Sequence, residues 1–162
     1  MHKCAVKARE LSVEDAAAPV LPIDSIGFGI ITGTPVVSIN SALEIDLHGQ
    51  IVADTIGARQ SSGVGGHMDL TEGTSLSLEH VSLICLQSSA TVGGVLKSRI
   101  IGDMTPHSTV TSPRQLAGVI VTEYGSADRR GRTVRERAAA LTAIAHPQFR
   151  DELTAAAELL GR

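Results

Sequence analysis

Residues 61–69, SSGVGGHMD, combine types and spacing that suit chemistry on a backbone. Gly63, Gly65 and Gly66 permit positive φ and carry no side-chain bulk, so a ligand can reach the main chain. Successive N–H groups in such a loop can form a concavity for an anion or a developing oxyanion, and Val64 contributes its own amide. A helix starting near His67 would add its N-terminal dipole at the same place. A surface turn is the plainer alternative, because Gly clusters commonly mark loops. The run is neither a dinucleotide fingerprint nor a P-loop, since no Gly-Lys-Ser/Thr follows.

Other residues invite comparison with this loop. Asn40, in SINSALEID, can donate from its side-chain amide or cap a turn. Glu44 and Asp46 share one strand face and either line a cleft or meet solvent. Glu123, in VTEYG, follows an apolar run and sits beyond the carboxyl end of a strand, where open α/β sheets bind ligands. A partnered carboxylate at a strand edge fits the same pattern. Arg129, Arg130, Arg132, Arg135 and Arg137 form a basic run around a helix start, where cations are mildly unfavourable. A solvated surface explains it, and so does a phosphate-bearing ligand or a second subunit. The six histidines form no HxxxH pair or ligand cluster, so no structural metal is expected. No GxSxG elbow occurs.

The elements that must position these residues read as α/β. Alternation in 42–47 and the apolar runs 81–86 and 116–122 predict strands, the last central in a sheet. His48-Gly49 predicts a turn, with 50–53 returning as a partner strand. Shorter strands are expected at 36–39, 99–101 and 108–111, and an apolar strand at 26–34; 55–66 reads as loop. Thr133 and Glu136 form a capping box at the head of a helix through 145. Pro147 opens a second helix, ended by Gly161. Residues 1–26 read as a weakly specified leader, with one domain at 27–162.

Composition narrows the function classes. Aromatics make up 2% of the chain, which removes the stacking platforms that single-stranded nucleic-acid binding uses. The net charge of -3 provides no attraction for nucleic acid or anionic membranes. No run approaches the roughly 20 apolar residues of a membrane helix, so no membrane partner is expected. Cys4 and Cys85 suggest no disulfide framework, and a reducing cytoplasm is the expected location.

Three segments resemble the C-terminal half of the acetyl-CoA hydrolase/transferase family, which includes the 4-hydroxybutyrate and butyrate CoA-transferases. They are SINSALEIDLHGQIVADTIGARQSSGVGGHMD, the looser SSATVGGVLKSRII, and VIVTEYGSADRRGRTVRERAAALTAIAHPQFRDEL. The resemblance implies an open three-layer α/β sandwich with a mostly parallel or mixed sheet and two C-terminal helices. It implies transfer of CoA from an acyl-CoA to a short carboxylic acid through a glutamyl-CoA thioester, or hydrolysis where water intercepts the intermediate. Coenzyme A is then a substrate, and no permanently bound cofactor is expected. On this chain Gly63, Val64, Gly65 and Gly66 would hold the oxyanion, and Asn40 would lie near the thioester. The family's attacking Glu lies upstream in a His-Ser/Thr-Glu segment, which this sequence lacks. The nucleophile is therefore expected from another domain or chain, with Glu123 as the alternative within this one. A homo-oligomer or a separate N-terminal chain is the expected partner. A non-catalytic CoA-binding or subunit-interaction module is the competing reading.

Overall fold

A computed structural model describes residues 36–75, 80–116 and 118–160. The leader expected at 1–26 and the strand expected at 26–34 lie outside the described residues. In chain order the strands are β1 (Val37–Ser41), β2 (Glu44–Asp46), β3 (Ile51–Val52), β4 (Thr55–Ile56) and β5 (Arg59–Gln60). Helix α1 (His67–Ser75) leads to β6 (Val81–Cys85), β7 (Ser89–Val92), β8 (Val95–Ser98), β9 (Ile100–Ile101), β10 (Val119–Thr122) and β11 (Gly125–Asp128). Helix α2 (Val134–Ala143), a single 3-10 turn (Pro147–Phe149) and α3 (Arg150–Ala157) follow. The chain is α/β with mixed sheets, as its pattern predicts.

The main sheet has the order β1-β6-β10-β11. β1, β6 and β10 are parallel, and β11 returns antiparallel on β10. The register aligns Ile39 with Leu83 and Leu83 with Val119. Leu83, Val119 and Val121 therefore share one face, where they gather Val37, Val81 and Cys85. Ile84 and Ile120 point the other way into the main core with Leu141 and Leu153. Burial on both faces is why β6 and β10 read as largely apolar runs.

The small sheet β3-β2-β9 adds Ile45, Ile51 and Ile100 to the same core. Here the half-buried pattern expected of 42–47 does not hold, because Glu44 and Asp46 are buried as fully as Ile45 between them. Asp46 turns inward and accepts the Gln50 N–H and side-chain amide, each at 2.7 Å, closing the β2–β3 turn. Gly49 in that turn has φ +92°, and a Cβ there would stand 1.6 Å from Arg129 Nη1. Glycine is required on both counts.

The capping box forms as read. Thr133 Oγ1 accepts from Glu136 N at 3.3 Å, and Glu136 Oε2 accepts from Thr133 N at 2.8 Å. The last helix ends at Ala157, and residues 158–160 form turns. Elsewhere the structure departs from the sequence reading or adds to it. Residues 55–66 contain the β4–β5 hairpin, and 89–98 fold as a hairpin about Gly93-Gly94. Glu123-Tyr124 turn the chain back as β11, and 108–111 forms no strand. Arg129 leaves the basic run for the core, with no solvent exposure.

Candidate functional site

The parallel strands deliver three sequence-selected groups to one edge. Ser38 Oγ and Thr74 Oγ1 lie 3.3 Å apart, fastening the start of β1 to the last turn of α1. From Ser38 to Ser41 the strand advances about 10 Å. From Thr74 back to His67 the helix covers about the same length. The head of α1 thus reaches the carboxyl edge of the sheet. Gly63–Gly66 precede it there, Asn40 is the penultimate residue of β1, and Glu123 follows β10.

The Gly loop presents its main chain outward. Gly63, Val64 and Gly65 are exposed and Gly66 is half-buried. Gly65 has φ +59°, and nothing stands within 4 Å of a Cβ placed on Gly63 or Gly65. The preceding amides are occupied, because Ser61 and Ser62 donate to the Asp54 carbonyl at 2.7 and 3.2 Å. The Gly66 carbonyl accepts from Leu70 N at 3.0 Å and so belongs to the first helical turn. The exposed residues 63–65 thus lie just ahead of a helix N-terminus, a position that favours negative charge.

Beneath the loop lies a cluster absent from the sequence reading. The Asp54 carboxylate accepts from the Thr111 hydroxyl and from Gln60 Nε2. The Thr111 hydrogen bond leads in holding it below the usual carboxylate range; burial opposes this, and Gln60 and His67 add to the lowering. His67, the first residue of α1, is buried, and its Nε2 has no hydrogen-bond partner among the described residues. Burial pushes its imidazole down, against the attraction of Asp54. His67 beside a Gly pair was a legible signal; the approach of Asp54 and Thr111, far apart in sequence, was not.

Asn40 Nδ2 is buried without a hydrogen-bond partner among the described residues. Glu123, in contrast, has both oxygens engaged. Ser88 Oγ donates to Oε1 at 2.6 Å and Ser88 N to Oε2 at 3.0 Å. Burial pushes the Glu123 carboxyl up, but the Ser88 hydroxyl and amide, with smaller help from His146, hold it below its ordinary value. Next to it, Tyr124 meets the His146 ring edge-on at 5.7 Å and the Arg150 guanidinium at 5.5 Å. The basic run does not converge on this edge as a group. Arg130 pairs with Asp128 at 2.8 Å, and Arg137 donates to the carbonyls of Arg132 and Arg114. Among the described residues no three His, Cys, Asp or Glu side chains cluster as a metal site, and no helix is long and apolar enough to cross a membrane.

Residues 29–157 match the acetyl-CoA hydrolase/transferase C-terminal domain. The chain is 45% identical over 122 residues to a probable butyrate:acetyl-CoA coenzyme A-transferase of Syntrophomonas wolfei, covering 75% of this chain and 27% of that protein. It is 46% identical over 123 residues to a butyryl-CoA:acetate CoA-transferase of Anaerostipes caccae, covering 75% and 28%. The solved structure of RipA from Yersinia pestis superposes with a TM-score of 0.63 at 38% identity, over 77% of this chain and 26% of that one. The chain thus spans about a quarter of the length of these relatives.

Proposed function

The chain belongs to the acetyl-CoA hydrolase/transferase C-terminal domain family, and from that premise we propose that it holds the thioester in an enzyme moving CoA between an acyl-CoA and a short carboxylic acid. A glutamate carboxylate supplied by another domain or chain attacks the acyl carbon. The carbonyl π electrons move onto oxygen, then return as the CoA thiolate leaves, giving an acyl-glutamyl anhydride. The thiolate attacks the glutamyl carbonyl, releases the acid as its carboxylate and forms the glutamyl-CoA thioester. An acceptor carboxylate reverses the sequence and leaves as the new acyl-CoA.

In this reading the amides of Gly63, Val64, Gly65 and Gly66 receive the oxyanion, and Asn40 Nδ2 donates to the same oxygen or to the thioester. The observation that carries it is the unpartnered amide of Asn40 on the edge where the open Gly loop heads α1. A donor aimed at developing charge is worth about a hundredfold to a thousandfold in rate. Glu123 is assigned a fastening part, because a nucleophile in that position would first have to shed two hydrogen bonds to Ser88. Hydrolysis is the alternative outcome at the same site, with water in place of the acceptor acid.

Acetyl-CoA incubation followed by borohydride reduction and mass spectrometry tests the assignment. The chain should gain no reduced glutamate at Glu123. It should bind a thioether analogue of acetyl-CoA, with weakened binding in Gly65→Val and Asn40→Ala. A reduced Glu123 would make that residue the nucleophile. Unchanged affinity in both variants would remove the Gly loop and Asn40 from the site.

A further inference from the structure

The turn into the Gly loop is held by side chains to which the function above gives no part. Gln60 ends β5 opposite Thr55 of β4, and Thr55 Oγ1 accepts from Thr109 N at 3.0 Å, which anchors the hairpin. From that base Gln60 Nε2 donates to Asp54 Oδ2 at 3.0 Å and to the Ser62 carbonyl at 2.6 Å. Asp54 is buried, and its own carbonyl accepts from Ser61 N and Ser62 N. One carboxamide therefore links a fixed carboxylate to the carbonyl just ahead of Gly63.

That link sets a direction. A planar trans peptide points its C=O and its N–H opposite ways, and no peptide bond among the described residues is cis. With the Ser62 carbonyl turned toward Gln60, the Gly63 N–H points away from Gln60. The next peptide repeats the arrangement, because Ser62 Oγ donates to the Gly63 carbonyl at 3.2 Å and so sets the Val64 N–H on the opposite side. Gly63 and Val64 are both exposed.

We propose that Gln60, itself held by Asp54, is a positioning residue: its hydrogen bond to the Ser62 carbonyl aims the Gly63 N–H at the carbonyl oxygen of the bound acyl group. Gln60 acts through the peptide and does not touch the substrate. The inference deepens the function proposed above and rests on it for the ligand. A purely structural Gln60 would close the hairpin and have no bearing on which oxygen the loop recognises.

Calorimetric titration of the whole chain with two analogues of acetyl-CoA separates these roles. Dethiaacetyl-CoA replaces the sulfur by a methylene and keeps the carbonyl; S-ethyl-CoA keeps the sulfur and replaces the carbonyl by a methylene. Gln60→Met has the length of the glutamine without its donors. It should weaken dethiaacetyl-CoA about tenfold and leave S-ethyl-CoA unchanged, with an unchanged circular dichroism spectrum. Gln60→Glu sets a carboxylate against Asp54 and the Ser62 carbonyl, and should weaken the ketone analogue at least as much. In amide NMR of Gln60→Met, the Gly63 response to the ketone analogue should shrink while that of Gly65 persists. Parental affinity for dethiaacetyl-CoA in Gln60→Met, or equal weakening of both analogues, would overturn the proposal. If Gly65→Val weakens the ketone analogue and Gln60→Met does not, only the positioning part is lost and the function proposed for the loop stands. If Gly65→Val and Gln60→Met both bind like the parent, or the chain binds neither analogue, the loop itself is removed and the positioning part falls with it.

Discussion

Gly49→Ala is the substitution whose cost can be worked most fully from the structure. At φ +92° an L-residue is strained by about 1–2 kcal/mol. The new Cβ would stand 1.6 Å from Arg129 Nη1 and 2.7 Å from Cζ, so the guanidinium must leave its place. Arg129 has no solvent exposure. Burial and the like charge of Arg137 push it down to about 10, and Asp46 opposes them, so it is still charged at neutral pH. Disrupting a buried charge arrangement costs about 3–5 kcal/mol. The sum, about 4–7 kcal/mol, is a large share of the ~5–15 kcal/mol of a whole domain. Urea unfolding should show a sharply lowered midpoint with an unchanged m-value. In an Arg129→Met background the flexible, uncharged side chain can yield, and the same Gly49→Ala change should cost only the backbone part, about 1–2 kcal/mol. Equal costs in the two backgrounds, or a single variant within about 1 kcal/mol of the parent, would refute the close approach of Arg129 to this turn.

Ser88→Ala removes the 2.6 Å hydroxyl bond to Glu123 and should cost about 1–3 kcal/mol. The Glu123 carboxyl should rise toward its ordinary 4.5, read by carboxyl NMR titration. Thr133→Ala breaks the capping box and should cost about 1 kcal/mol in urea unfolding. Acid should destabilise the fold in two stages. Below the ordinary 6.5 of His67, the unfolded chain takes a proton that the buried imidazole resists, so stability falls toward its lower folded value. The depressed Asp54 and Glu123 carboxyls stabilise fully above their ordinary 3.8 and 4.5, and that contribution is lost as pH falls through their lower folded values. His67→Gln should abolish the first stage alone, seen as urea midpoints that no longer differ between about pH 7.5 and about pH 5.5.

Periodicity and punctuation carried much of the fold. The apolar run 81–86 marked β6 as a strand, the continuous apolar character of 116–122 marked β10 as an inner one, and Thr133 with Glu136 marked the head of α2. Elements without such signals escaped. Ser-Ala-Thr-Val around Gly93-Gly94 has little apolar content, and its hairpin is largely solvent-facing. Glu44 and Asp46 looked solvated because charge implies exposure, but a close turn and an Arg partner cover them. Arg129 looked like its neighbours because a local charge run does not reveal which member the turn at Gly49 will admit to the core. For the candidate site, residue types alone left the Gly loop and Asn40 open to a plain turn reading, and only the family resemblance singled them out. Ser88 at Glu123, and Thr111 at Asp54, depend on separations of 35 and 57 residues that no local pattern encodes.

Amide NMR of the chain titrated with a thioether analogue of acetyl-CoA tests the central claim most directly. The account predicts the largest shifts at the backbone amides of Gly63, Val64, Gly65 and Gly66 and at the side-chain amide of Asn40, with Gly65→Val abolishing them together. Saturable binding that leaves those five signals unmoved would contradict it.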